Sequence, residues 1–156
     1  MKKFLLFLCA ITLVFMMVGT ASALVFTLDS YDVTLNDNDP GLALYWSPIL
    51  STPASADLEV GDSITFALFE LGTYETWSNP DDEEEQIISV EFDFSSPEAN
   101  ATVTGETVGN TLLIFSWGEV EWNDSIEFSF GSTGLFTIDL EDDWFWTPGS
   151  ATIDAT

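Results

Sequence analysis

The chain has 156 residues, of which 27 are Asp or Glu, two are Lys or Arg and none is His, so its formal net charge at pH 7 is −25. This composition offers no basic surface for nucleic acid and no imidazole for acid–base chemistry or metal binding, and the single Cys allows no internal disulfide. The length is typical of a single domain.

Residues 1–23 have the pattern of a secretory signal. Lys2 and Lys3 precede an almost unbroken apolar run, and Ala21 and Ala23 supply the small residues of a cleavage site. The apolar run is a little short for a helix that spans a bilayer. We therefore predict a signal helix that is cleaved after Ala23, bacterial export through the Sec route, and a mature domain of residues 24–156 that does not enter the membrane.

Cleavage would remove both Lys residues and the only Cys. The mature chain would then have no basic side chain, while all 27 carboxylates would remain. Each carboxylate must then be solvated, hydrogen-bonded, protonated or bound to a metal ion. The mature chain would nevertheless keep all six Trp and ten of the 13 Phe, which predict a folded aromatic core rather than a disordered polyanion.

Apolar and polar residues alternate along much of the mature chain, which is typical of half-buried antiparallel strands. The clearest cases are 88–94, 125–130 and 136–140, and further strands are predicted at 25–35, 42–46, 63–71, 101–104, 111–122 and 151–155. No stretch shows sustained helical periodicity, although 48–56 allows a short helix. The pattern predicts an all-β, antiparallel β-sandwich or jelly-roll-like domain.

Turn signals divide these predicted strands. The run 36–41 is rich in Asn, Asp, Pro and Gly, Gly61-Asp62 predicts a hairpin, and Gly105-Glu106 and 131–134 predict further turns. Two longer loops are expected at 47–56 and 77–86, and the second of these carries the acidic run 81–85.

The signal, the strands punctuated by Gly, Asn and Asp, and the terminal stretches 134–140 and 147–156 together resemble bacterial PEP-CTERM proteins, which are exported and handled by exosortase. The resemblance implies a location at the cell surface or in the extracellular matrix. The sorting tail of that family, with Pro-Glu-Pro, a hydrophobic helix and an Arg cluster, does not follow here. We expect either a chain truncated at Thr156, with its membrane anchor missing, or secretion without an anchor.

Oxygen-rich loops are the candidate metal sites. Asp37 and Asp39 alternate within a turn, at a spacing that Ca²⁺ can use, so Ca²⁺ is the one cofactor that the sequence suggests. The runs 81–85 and 141–143 add two more acidic loops. The alternative for each of them is a solvated loop that keeps the protein soluble.

Two Trp residues are the candidate glycan contacts. Trp144 and Trp146 would share one face of an extended strand, beside the acidic run 141–143. The alternative is that they only pack in the core or at its rim. Trp117 and Trp122 would point to opposite faces of a continuous strand, unless Gly118 forms a bulge.

The sequence favours a binding or structural protein over an enzyme. The only catalytic pair that we identify is Glu119 and Glu121, which would share a strand face about 7 Å apart, and such pairs are common on exposed faces. We therefore predict an exported protein with a structural or adhesive role. The prediction covers a role that depends on a bound cation as well as one that does not. A carbohydrate-binding module that uses Trp144 and Trp146 is the alternative, and glycans or matrix components are the expected partners.

Overall fold

The computed structural model describes residues 23–38, 40–132 and 134–156. Eleven strands form the regular structure of these residues: β1 (Leu24–Thr34), β2 (Tyr45–Pro48), β3 (Ala54–Leu58), β4 (Phe66–Thr73), β5 (Gln86–Ser96), β6 (Glu98–Leu112), β7 (Phe115–Trp122), β8 (Ile126–Phe130), β9 (Gly134–Ile138), β10 (Asp143–Trp146) and β11 (Gly149–Ala155). Every pairing between them is antiparallel. The predicted all-β, sandwich-like fold class is confirmed. The signal segment up to Ser22 and its Ala21 lie outside the described residues.

The strands form three sheets. The largest has six strands in the order β10-β7-β6-β5-β1-β3, the second has three in the order β11-β4-β2, and β8 pairs only with β9. The central part of the large sheet, β5-β6-β7, is a meander in which each strand pairs with the next along the chain. Within the described part of the chain, no helix is long and apolar enough to cross a bilayer.

The core lies between the large sheet and the three-stranded sheet. From the large sheet it includes Val90, Phe92 and Val120, and from the small sheet it includes Phe69 and Ile153, all of which are almost fully buried. In β5 and β7 the core residues Val90, Phe92 and Val120 alternate with polar residues that point outward, as the period-two pattern predicts. The alternation predicted at 88–94 is confirmed in β5, where Ile88, Val90 and Phe92 face inward.

The turn predicted at Gly105-Glu106 is wrong. Both residues lie within β6, where Gly105 pairs with Ile88 on one side and with Trp122 on the other. A Cβ atom on Gly105 would lie 2.8 Å from Cε3 of Trp122. The Glu121 carbonyl oxygen would lie even closer to that Cβ, at 2.6 Å, so this glycine allows β7 and the indole ring to approach its backbone and does not turn the chain.

The continuous strand predicted at 111–122 is also wrong, because the chain reverses at Leu113 and Ile114. Leu113 has a φ of 59°, and the two side chains are largely exposed at the tip between β6 and β7. Because this turn is apolar and contains no Gly, Asn or Pro, the sequence gives no sign that a strand ends there.

Three other predictions need correction near the small sheet. A turn forms over residues 59–62, where the Asp62 N–H donates to the carbonyl of Glu59 at 3.0 Å, but β3 and β4 on either side join different sheets and form no hairpin. The expected loop 47–56 contains the end of β2 and the start of β3, and no helix occurs there. Of the strand predicted at 42–46, only the last two residues are in β2, and Leu42 and Leu44 are buried without joining a ladder.

Candidate functional site

The outer side of the β7–β10 edge carries an exposed set of aromatic rings. Strand β10 pairs with β7 so that Trp144 lies opposite Glu119, Phe145 opposite Gly118 and Trp146 opposite Trp117. Cross-strand partners share a face, and successive residues alternate between faces. Phe145 therefore points into the core, where it is 4% exposed, while Trp144 and Trp146 point outward and are each 53% exposed. The prediction that the two Trp residues share one face of an extended strand is confirmed.

Gly118 sets this orientation. A Cβ atom at position 118 would lie 2.6 Å from Cζ of Phe145 and 2.8 Å from Cδ2 of Leu42, so only a glycine leaves room for the Phe145 ring. The register continues through Gly118 on both sides, with Gly109 on β6 and Phe145 on β10. The bulge suggested as an alternative is therefore wrong, and Gly118 is a place where a ring approaches the backbone closely.

We define the aromatic face as the rings of Phe115, Trp117, Trp144 and Trp146. The ring centroids of Trp144 and Trp146 lie 5.2 Å apart with an interplanar angle of 89°. Trp146 also contacts Trp117 at 6.4 Å and Phe115 at 6.0 Å. The two Trp–Trp pairs meet edge to face and Phe115 is tilted by 50° to Trp146, so the rings form a cluster with steep walls rather than a flat platform.

Polar side chains lie directly beside these rings. Glu119 is the cross-strand partner of Trp144 and lies on the same outer face. Its carboxylate accepts a hydrogen bond of 3.3 Å from Nδ2 of Asn110. Asn110 is in turn the cross-strand partner of Trp117. An aromatic wall flanked by a carboxylate and an amide can cover an apolar ligand surface and also hydrogen-bond to its hydroxyl groups.

Sequence reasoning missed two parts of this site. The sequence predicts of Trp117 only that it points to the opposite face of its strand from Trp122. This prediction is confirmed, because Trp122 turns inward and its ring centroid lies 6.5 Å from that of Phe69. Phe115 and Asn110 were not identified as site residues at all. Phe115 joins the site through its contact with Trp146 on β10, and Asn110 joins it through its pairing with Trp117 and its hydrogen bond to Glu119. These contacts depend on strand pairing, which no local pattern indicates.

The acidic loops do not converge on a metal site among the described residues. Asp37 is exposed, and its Oδ1 accepts a hydrogen bond of 2.6 Å from Nδ2 of Asn38, while Asp39 lies outside the described residues. No group of three or more acidic side chains in residues 23–38, 40–132 and 134–156 is placed to hold an ion. Calcium binding at Asp37 and Asp39 therefore stays a prediction.

Asp82 is the exception within the acidic run 81–85. The alternative prediction of a solvated loop is wrong for this one residue. Its neighbours in the run are exposed, but Asp82 is 0% exposed. Oδ2 accepts a hydrogen bond of 2.7 Å from the Asn79 N–H, and Oδ1 has no partner among the described residues. The side chain packs against Gly109, where an added Cβ would lie 2.9 Å from Cβ of Asp82.

No protein-family model, no curated protein and no solved structure matches this chain.

Proposed function

We propose that this protein is an exported adhesive module of the bacterial surface or extracellular matrix, and that it attaches to polysaccharide through the aromatic face. The observation that carries the proposal is the exposure of Trp144, Trp146 and Phe115 in a single cluster at a sheet edge, packed around the half-buried Trp117, although large apolar rings are usually buried in the core. The signal pattern of residues 1–23 and the resemblance to PEP-CTERM proteins support the location.

Sugar rings fit the chemistry of this face. Their C–H surfaces are apolar and pack against indole rings. Their hydroxyl groups donate hydrogen bonds to acceptors such as the carboxylate of Glu119 and the side-chain carbonyl of Asn110. Trp residues also provide a disproportionate part of the binding energy at interfaces, because they bury a large area and lose little conformational entropy.

The charge of the chain restricts the glycan class. A net charge of −25 repels acidic polysaccharides, and no basic side chain follows Lys3 to offset that repulsion. We therefore expect neutral or amino-sugar polymers to bind and uronic-acid or sulfated polymers to be rejected.

A catalytic role is not part of this proposal. Glu119 and Glu121 lie on the open outer side of β7, next to each other along one strand, whereas glycosidases place two carboxylates on either side of the bond that they cleave. We predict that polysaccharides which bind the protein are recovered intact, and product analysis after prolonged incubation checks this.

Binding to a panel of insoluble neutral, amino-sugar and acidic polysaccharides tests the proposed function. We expect retention on a neutral or amino-sugar polymer and a loss of affinity of about tenfold or more in Trp144→Ala and Trp146→Ala, since each variant removes an exposed aromatic wall. Trp117→Ala should weaken binding as well.

Trp77→Ala is the matched control, because Trp77 is also exposed but is not one of the four rings of the face. It should bind like the unmodified protein. The proposal fails if no neutral or amino-sugar polymer is retained, or if the control loses as much affinity as Trp144→Ala and Trp146→Ala.

A further inference from the structure

A large cavity lies away from the aromatic face, between the β1–β3 side of the large sheet and the β8–β9 hairpin. Its volume is about 860 Å³, which is within the range of pockets that enclose small-molecule ligands. Phe26 and Ala56 line it from paired positions on β1 and β3, and Phe92 and Phe94 line it from β5. The hairpin contributes Phe136, among other apolar residues.

Aromatic rings form one wall of this cavity. Phe136 contacts Phe26 at 5.1 Å, Phe94 at 5.3 Å and Phe130 at 6.0 Å, and all four rings remain only partly buried. Neither strand of the hairpin forms a ladder with the large sheet. The hairpin meets that sheet here through Phe136 and Phe130 against Phe26, and through Phe136 against Phe94. Partly exposed Phe side chains around this half-open volume leave apolar area that a ligand could remove from water.

Carboxylates surround the opening. Glu59, Asp62 and Asp139 line the cavity and are exposed, so they lie where the cavity meets solvent. Because no Lys, Arg or His occurs anywhere after Lys3, no basic side chain could neutralise an anionic head group at this position. An amine or quaternary ammonium head would instead be attracted by these carboxylates.

We propose that this cavity binds a single-chain cationic amphiphile, with its apolar body against the Phe26–Phe136 wall and its positive head at Glu59 and Asp139. Both the shape and the charge select this class, because a fatty acid or alkyl sulfate would place an anion among carboxylates. The inference is independent of the proposed glycan function, since the two sites share no residue.

Calorimetric titration of the purified protein with decyltrimethylammonium and with decanesulfonate, both below their micelle concentrations, tests the proposal. At low ionic strength we expect the cation to bind about tenfold or more tightly than the anion, and added salt should reduce this preference by screening the head group. Tetramethylammonium, which has the head without the chain, should not compete.

Two sets of variants locate the site. Ala56→Trp fills the cavity and should lower the affinity for decyltrimethylammonium about tenfold, while Val25→Trp, on the opposite face of the paired strand, should have no effect. Glu59→Gln with Asp139→Asn should reduce the preference for the cation with little change in fold, and Glu91→Gln with Glu106→Gln is the control that removes the same charge from exposed positions outside the cavity.

The proposal is overturned if decanesulfonate binds as tightly as the cation, if tetramethylammonium competes equally, or if Ala56→Trp and Val25→Trp bind alike. It is also overturned if no amphiphile binds and Ala56→Trp abolishes a dimer seen by sedimentation, because the cavity would then be an interface between two copies of the chain. None of these outcomes affects glycan binding at the aromatic face.

Discussion

Tyr31 links the two main sheets through its hydroxyl group. The hydroxyl donates to the carbonyl of Leu68 on β4 at 2.7 Å and lies 3.3 Å from the carbonyl of Leu50, while the ring contacts Phe69 at 6.5 Å. Burial raises the pKa of Tyr31 above its ordinary value of 10.0, and the backbone of Ile49 offsets part of this increase. The folded chain therefore keeps the phenol proton at a pH at which the unfolded chain releases it.

This difference predicts a loss of stability in alkaline solution. Below about pH 10 the phenol is protonated in both states, and the contribution of Tyr31 is fully present. As the pH rises from there through the higher pKa of the folded state, the unfolded chain binds fewer protons, so the free energy of unfolding falls. Urea titrations across this range, with Tyr31→Phe, measure the effect.

Tyr31→Phe should cost about 1 kcal/mol at neutral pH, because one hydrogen bond is lost while Leu68 keeps the N–H groups of Ile49 and Leu50 as donors. The same variant should show a smaller fall in stability above pH 10. Tyr74→Phe, at a largely exposed position, is the control that should keep the full fall. An unchanged alkaline slope in Tyr31→Phe would contradict the assignment.

At the scale of elements, β10 is a four-residue edge strand that pairs only with β7. The Phe145 ring over Gly118 is the contact that anchors it in the core, and the exposed positions of Trp144 and Trp146 follow from that anchor. One glycine therefore links the stability of β10 to the exposed positions of the proposed glycan contacts.

Gly118→Ala should lower the free energy of unfolding by about 1–3 kcal/mol, since the added methyl group overlaps the Phe145 ring and must displace it. Displacement of β10 should also weaken glycan binding. The double variant Gly118→Ala with Phe145→Leu should recover part of both losses, because the smaller side chain leaves room for the methyl group.

A double-mutant cycle measured by urea unfolding and by polysaccharide binding checks this coupling. Strictly additive effects of the two substitutions would show that Gly118 and Phe145 act independently and would refute the anchoring role of the contact.

At the scale of the whole molecule, apolar burial must outweigh the mutual repulsion of 27 carboxylates in a chain whose only basic side chains are Lys2 and Lys3. Salt screens this repulsion, with a Debye length of about 10 Å at 0.1 M. The protein is therefore expected to gain stability from added electrolyte, in contrast to proteins in which opposite charges are balanced.

Thermal melts test this expectation and the calcium prediction together. The melting temperature should rise with NaCl, and it should rise further with CaCl₂ at matched ionic strength if Asp37 and Asp39 bind the ion. Asp37→Asn should remove the additional increase, while Asp57→Asn, another exposed carboxylate, should not. Equal melting temperatures in the two salts would leave only general screening and would refute the calcium site.

Alternation along the chain determined the strand class and most inward-facing residues, as in β5 and β8, because the side-chain period of two is a local property of an extended backbone. It also determined that Trp144 and Trp146 share a face. Turn residues were less informative, since Gly105 and Gly118 serve ring packing, and Leu113 turns the chain without a glycine.

The tertiary structure alone decided which distant segments meet. Trp117 joins Trp146 because β10 pairs with β7, and Asp82 is buried because its loop packs against Gly109 of β6. The cavity at Phe136 lies where rings of the β8–β9 hairpin pack against β1 and β5, while backbone hydrogen bonds between Asp139 and Thr156 tie the end of the hairpin to the C-terminal segment. These contacts join residues far apart in sequence, and their energies depend on the final arrangement of sheets, so no local pattern contains them.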